Sequence, residues 1–373
     1  MTNNDDIRPF RIETSEAELA DLRDRLDRTR HTGELPGVGA EYGVSLEYVH
    51  RLLDHWKNGF DWRAAEARLN AYPQFTTEID GQNVHFLHVR SPEPDAVPLV
   101  LTHGWPTTVA EYLDVIGPLS DPRAHGGDPA DAFHLVIPSV PGFGYSGPTG
   151  EKGWNRYRIA RAWAELMRRL GYRRYGAHGN DGGSLISPEV GRFDPEHVIG
   201  VHVTQVFSFP SGDPAELEKL GEEDLAKVKF LQWFYENVGG YDRLQSQAPQ
   251  TLAHALADSP VGQLAWNAQL LGETLSLDYV LTNVMIYWLT NTSASSARLY
   301  YEDAHAEHPA EPTTVPLGLA NFANDFQSIR PFAERDHRDI RSWNVYDVGG
   351  HFAAHEVPEV LVDDIRGFFR SLR

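Results

Sequence analysis

The sequence predicts an α/β fold: a mostly parallel central sheet flanked by helices, with an inserted helical lid and an N-terminal meander in front. Three observations carry that expectation. Between residues 74 and 208, short apolar runs of strand length alternate with amphipathic stretches of helical period, the pattern of a parallel sheet with crossover helices. The alternation lapses from about 208 to 310, where the chain is helical and aromatic, and strand-like segments return after it. Within the alternating region, Arg174 to Ala177 run into glycines at 179, 182 and 183 and then into an apolar helical segment, a sharp strand-to-helix turn.

Residues 9–31 begin extended and become a helix, with Ser15 or Thr14 as N-cap before Leu19, Leu22 and Leu26. A second helix is expected over Leu46 to Lys57, with Tyr48, Leu52, Leu53 and Trp56 on one face. Phe60-Asp61-Trp62-Arg63 is read as the close of this arm, which takes residues 1–73. The first sheet strands are then Phe75 to Ile79 and Val84 to Val89, joined at Asp80-Gly81, a hairpin signal. Val97 to Thr102 suits a buried parallel strand. It ends at His103-Gly104-Trp105-Pro106, after which Thr107-Thr108 cap a helix through Tyr112, Val115 and Ile116. A strand at Phe133 to Pro138 and a helix carrying Ile159, Trp163, Leu166 and Leu170 lead to the turn. Val198 to Val203 adds a strand and completes the first core part, 74–208. The lid takes 209–310. The second core part, 311–373, holds strands at Val315 to Leu319 and Ile340 to Tyr346 and a helix from Pro358 to Leu372.

Composition narrows the classes of function. A formal net charge of −20 repels nucleic acid and anionic membranes, and no basic run offsets it. The chain has no cysteine, which removes disulfides, thiolate metal sites and catalytic thiols. Met1 to Asp6 contain neither a basic region nor an apolar one, and no stretch reaches the roughly 20 apolar residues of a membrane span. A soluble, cytoplasmic protein acting on small neutral molecules is expected.

The turn at Gly179-Asn180-Asp181-Gly182-Gly183 has the shape of a nucleophile elbow, in which flanking glycines remove Cβ atoms and the central side chain is pushed into a cleft. Its central residue is Asp181, so the expected chemistry is a carboxylate attacking carbon to form an ester. His351, in Gly349-Gly350-His351-Phe352 between the last strand and last helix, is the candidate general base. Asp325, after the penultimate strand, is the candidate acid to orient it. Asp336, Asp339 and Asp347 compete with it, with solvated surface charge as their alternative role. Nucleophile, acid and histidine in that order form the α/β-hydrolase arrangement. The backbone N–H groups of Trp105 and Gly182 are the candidate oxyanion hole. His351 and His355 lie four apart, but no third ligand accompanies them and no metal is expected. His305 and His308 read as lid surface.

The chain resembles the microsomal-type epoxide hydrolases of the α/β-hydrolase superfamily over nearly its whole length. The likeness rests on the arm (Pro9-Phe10-Arg11-Ile12, Leu22 to Leu26, Thr29-Arg30, Asp61-Trp62-Arg63, Leu69-Asn70), on His103-Gly104-Trp105-Pro106, on Asp258-Ser259-Pro260-Val261-Gly262 and on Gly349 to Ala354. It implies a cofactor-independent hydrolase that opens an epoxide through an alkyl ester on Asp181, which water activated by His351 then cleaves. It also implies that Tyr241 and Tyr300 donate hydrogen bonds to the ring oxygen, with Tyr301 as the rival of its neighbour. An epoxide and water are the implied partners, and a homodimer is allowed for. The family commonly has Gly-Gly-Asp-Trp-Gly at the elbow, so Asn180 and Gly182 are departures, and the second removes a pocket wall. Two alternatives remain: a haloalkane dehalogenase-like enzyme using the same aspartate, and a non-catalytic binder of apolar ligands.

Overall fold

The computed structural model describes residues 6–373, so the reading made of Met1 to Asp5 lies outside the described residues. Nine strands form one sheet in the order β1-β2-β3-β5-β4-β6-β7-β8-β9. Three of them, β1 (Arg8–Phe10), β2 (Gln74–Ile79) and β3 (Gln82–Val89), pair antiparallel, and β3 joins β5 (Phe133–Pro138) in the same sense. The others, β4 (Val97–Thr102), β6 (Tyr175–Gly179), β7 (Val198–Val203), β8 (Leu317–Asn321) and β9 (Ile340–Val345), run parallel with β5. The central strands β4, β6 and β8 are buried almost throughout, on both faces, because helices cover both sides.

Several boundaries differ from the sequence reading. The first strand belongs to the arm: Arg8–Phe10 pairs with β2 and so ties the arm to the sheet. The segment at 60–63 does not close the arm but starts a third helix, Trp62–Leu69, capped by Asp61 through the Ala64 N–H. After Thr108 the chain makes a 3-10 turn, Val109–Tyr112, and only then a short helix, Ile116–Ser120. The strand expected at Val315 begins at Leu317, because Pro316 has no N–H to give a ladder and contributes only its carbonyl, to Val201.

Helices Glu16–Asp27 and Leu46–Asn58 bury Leu19, Leu22, Leu26, Leu52 and Trp56 in the same apolar cluster as the lid residues Leu264, Val284 and Met285. Between β7 and β8 the chain forms helices and no strand among the described residues, the longest being Glu222–Asn237 and Leu277–Thr290. No helix of the described residues is long and apolar enough to cross a membrane.

Candidate active site

The parallel strands deliver their following loops to one edge of the sheet, the carboxyl edge where such sheets hold ligands. The loop after β4 carries Trp105, that after β6 carries Asp181, that after β7 carries Gln205, that after β8 carries Asp325 and that after β9 carries His351. All five line one cavity of about 1490 Å3, together with Leu231, Phe234, Tyr235, Tyr241 and Tyr300 from the helices between β7 and β8.

Asp181 stands at the tip of the elbow with φ 52° and ψ −120°, outside the ordinary range of a side-chain-bearing residue. Close packing of the backbone holds it there. A Cβ at Gly179 would lie 2.0 Å from the Gly183 carbonyl oxygen, one at Gly183 would lie 1.8 Å from that of Thr102, and one at Gly104 would lie 2.2 Å from Asp181 Oδ1. At Gly182, by contrast, an added Cβ would meet only Gly104 Cα, at 3.5 Å.

The carboxylate is held by the groups the sequence singled out. Trp105 N–H donates to Oδ1 at 2.9 Å, Gly182 N–H donates as well, and His351 Nε2 stands 3.3 Å from Oδ2. Burial works to raise the Asp181 pKa, but His351 and the two backbone donors outweigh it and hold the carboxyl below its usual range. Asp181 also precedes the helix Gly182–Phe193, whose N-terminal dipole favours an anion.

His351 Nδ1 lies 2.6 Å from Asp325 Oδ1, and that oxygen also accepts from the Phe326 N–H at 2.6 Å. Burial favours the neutral imidazole, yet Asp325 on one side and Asp181 on the other raise the His351 pKa well above its ordinary value. Of the rival acids, Asp336 and Asp339 are engaged by Arg335 and Arg341, and it is Asp325 that accepts the hydrogen bond from His351 Nδ1. The two tyrosines pack beside Trp105 and line the same cavity as the nucleophile. Tyr241 stacks on Trp105 with centroids 5.6 Å apart, and Tyr300 meets Trp105 and Tyr241 edge-on, each at 6.0 Å. Burial, with the Asp181 charge added, pushes both phenols upward, so they stay protonated donors at neutral pH. Tyr301 instead stacks on His305, 4.1 Å away.

His355 pairs with Asp114 at 2.7 Å, and His308 with the Tyr157 hydroxyl at 2.7 Å, so neither joins His351. Sequence reading missed Glu111 and Gln205. Glu111 is buried between the elbow and the Trp105 turn, accepting from Asn180 Nδ2 at 2.8 Å and from the Thr107 hydroxyl, and burial pushes its carboxyl up to about 7. A Thr-x-x-x-Glu spacing right after His-Gly-Trp-Pro, and a polar residue just beyond an apolar strand, were the signals available.

The chain is similar to known proteins over nearly its whole length. The family model for the epoxide hydrolase N terminus matches residues 7–112. A putative epoxide hydrolase from Stigmatella aurantiaca is 40% identical, covering 98% of this chain and 86% of that one. Epoxide hydrolase 1 of Sus scrofa is 35% identical over 99% of this chain and 90% of its own. The crystal structure of juvenile hormone epoxide hydrolase from the silkworm Bombyx mori superposes with a TM-score of 0.88 at 26% identity, covering 99% of this chain and 95% of that one.

Proposed function

The chain belongs to the epoxide hydrolase family, enzymes that open epoxides to vicinal diols, and from that premise we propose how Asp181, His351, Asp325 and the two tyrosines divide the work. In the first step Oδ2 of Asp181 attacks an epoxide carbon. The ring C–O bond breaks, and the departing oxygen takes a proton from Tyr241 or Tyr300. Oδ1 is then the carbonyl oxygen of an alkyl ester and stays under the N–H groups of Trp105 and Gly182.

The second step follows from the charge change that the first one makes. In the free enzyme two carboxylates hold His351 as an imidazolium. Esterification removes the charge of Asp181, so the proton affinity of the imidazole falls and its proton goes to restore the phenol. Neutral His351, oriented by Asp325, then takes a proton from water, which attacks the ester carbonyl. The oxyanion forms at Oδ1, where the two donors already point. Collapse breaks the bond between the Asp181 carbonyl carbon and Oδ2, the imidazolium gives its proton to that departing oxygen as the diol leaves with it, and the acid proton left on Asp181 returns to His351.

The single observation that carries this reading is that Asp181 lines the cavity with Oδ1 held by the Trp105 N–H and Oδ2 beside His351 Nε2. The dehalogenase alternative loses support because glycine, with no N–H-bearing ring, follows the nucleophile and two phenols oppose it. The test is His351→Gln. Mixed with styrene oxide, this variant should accumulate an adduct of one substrate mass on the peptide holding Asp181, with steady turnover reduced at least about a hundredfold. Normal turnover without adduct would refute the assignment.

A further inference from the structure

One buried amide beneath the reacting groups joins the loops that carry them. Gln205 is fully buried just past β7. Its Nε2 has two hydrogens: one goes to Asn180 Oδ1 at 2.8 Å, the other to Asp325 Oδ2. Its Oε1 accepts the Asp181 backbone N–H at 2.9 Å. Turning the amide over would set oxygen against the Asp325 carboxylate and NH2 against an N–H, so only one orientation satisfies all three partners. Asn180 is fixed in turn, accepting from Thr204 at 2.6 Å and donating to Glu111 at 2.8 Å. Glu111 accepts from Thr107, whose hydroxyl also lies 3.2 Å from the Gly104 carbonyl beside the oxyanion donor. Elbow, acid loop and oxyanion turn are therefore fastened to one another from below.

We propose that Gln205 is a positioning residue for ester hydrolysis: it holds Asp325 in the rotamer that orients His351, and it sets the elbow at the matching distance. The proposal rests on the two-step reading above. Asp325 uses Oδ1 for His351 and the Phe326 N–H, and among the described residues no group other than Gln205 donates to Oδ2. Without that donor, a buried carboxylate oxygen is left unpaired, and rotation about the Cβ–Cγ bond becomes the way to relieve it. Such rotation carries Oδ1 away from the imidazole. Alkylation needs only Asp181 and the phenols, so its rate is spared. Hydrolysis needs an aligned, neutral His351, so it bears the loss.

The experiment compares Gln205→Met and Gln205→Glu with the native enzyme by rapid quench and intact mass, using styrene oxide. The glutamate variant keeps the shape and the acceptor for Asp181 N–H while removing both Nε2 donors, to Asn180 and to Asp325, and it covers the case in which the methionine variant fails to fold. Expected in the folded variants is ester hydrolysis slowed roughly tenfold to a hundredfold, the worth of a hydrogen bond to a charged group. Alkylation should stay near the native rate, so ester accumulates in the steady state and kcat and KM fall together. Equal losses in both steps would mean a merely structural role and overturn the proposal, as would no change in either. His351→Gln runs alongside. Absence of ester there and in the native enzyme takes down the two-step reading and this proposal with it, whereas ester there with native rates in the glutamate variant removes only the role given to Gln205.

Discussion

Gly182 and Glu111 show how single residues set this site. At Gly182 the backbone N–H is a donor to the nucleophile, while the missing side chain leaves room, since an added Cβ meets only Gly104 Cα at 3.5 Å. Gly182→Trp should fold and keep its donor while filling that part of the cavity. We expect kcat/KM for a bulky aryl epoxide to fall roughly tenfold to a hundredfold while that for propylene oxide is retained, the scale on which apolar pockets discriminate. Equal loss on both substrates would show that the glycine serves the backbone instead. Glu111 makes a statement about stability. Burial raises its folded pKa from the ordinary 4.5 to about 7. Folded protein therefore binds this proton more tightly than unfolded protein does. The contribution to stability is fully present below pH 4.5 and is lost as pH rises through 7, on the order of 3 kcal/mol in all. Chemical unfolding of Glu111→Gln between pH 5 and 8 should show less decline than the native protein. Parallel curves would contradict the burial argument.

At the scale of elements, the arm supports the lid and the lid supports the oxyanion turn. Tyr48 OH donates to the Gly272 carbonyl, and Trp56 Nε1–H points at Met285 Sδ from 3.1 Å. From the same lid helix, Leu277–Thr290, Tyr287 OH donates to the Thr107 carbonyl at 2.7 Å and Asn283 accepts from Thr108 at 2.8 Å. Removing Trp56, which is buried, should weaken both joints. Trp56→Ala is expected to cost about 3–5 kcal/mol in unfolding free energy, with hydrogen exchange quickening first over 277–290. Exchange that quickens only in the arm would show the lid to stand alone. These helices were legible because Tyr48, Leu52, Leu53 and Trp56 recur at helical spacing, and Ser15 announces its own helix as a cap. The helix at 62–69 was not: Trp62, Leu69 and three alanines give too little apolar bulk for a clear period, and its start at Asp61 looks like an ending when no partner is in view.

Across the whole molecule, chemistry arises because five parallel strands end at one edge and each loop there brings one group. Asp181 and His351 are 170 residues apart by number, yet only 3.3 Å separates Nε2 from Oδ2. The sequence makes such groups visible when a local rule marks them, as glycines do at the elbow and Gly-Gly-His does after β9. Gln205 and Glu111 carry only the faint marks of a spacing and a position after a strand, because their importance lies in partners contributed by other loops. The choice between Tyr300 and Tyr301 likewise depends on which way a short helix turns its side chains, a tertiary matter. The central claim is that Asp181 bonds to the substrate carbon and is then restored by water. Repeated turnover in H2 18O, followed by digestion and mass spectrometry, tests it directly. The account predicts 18O in the Asp181 carboxylate, and in a single turnover with excess enzyme a first diol whose new oxygen is 16O from the protein. Label found in that first diol with Asp181 unlabelled would contradict it.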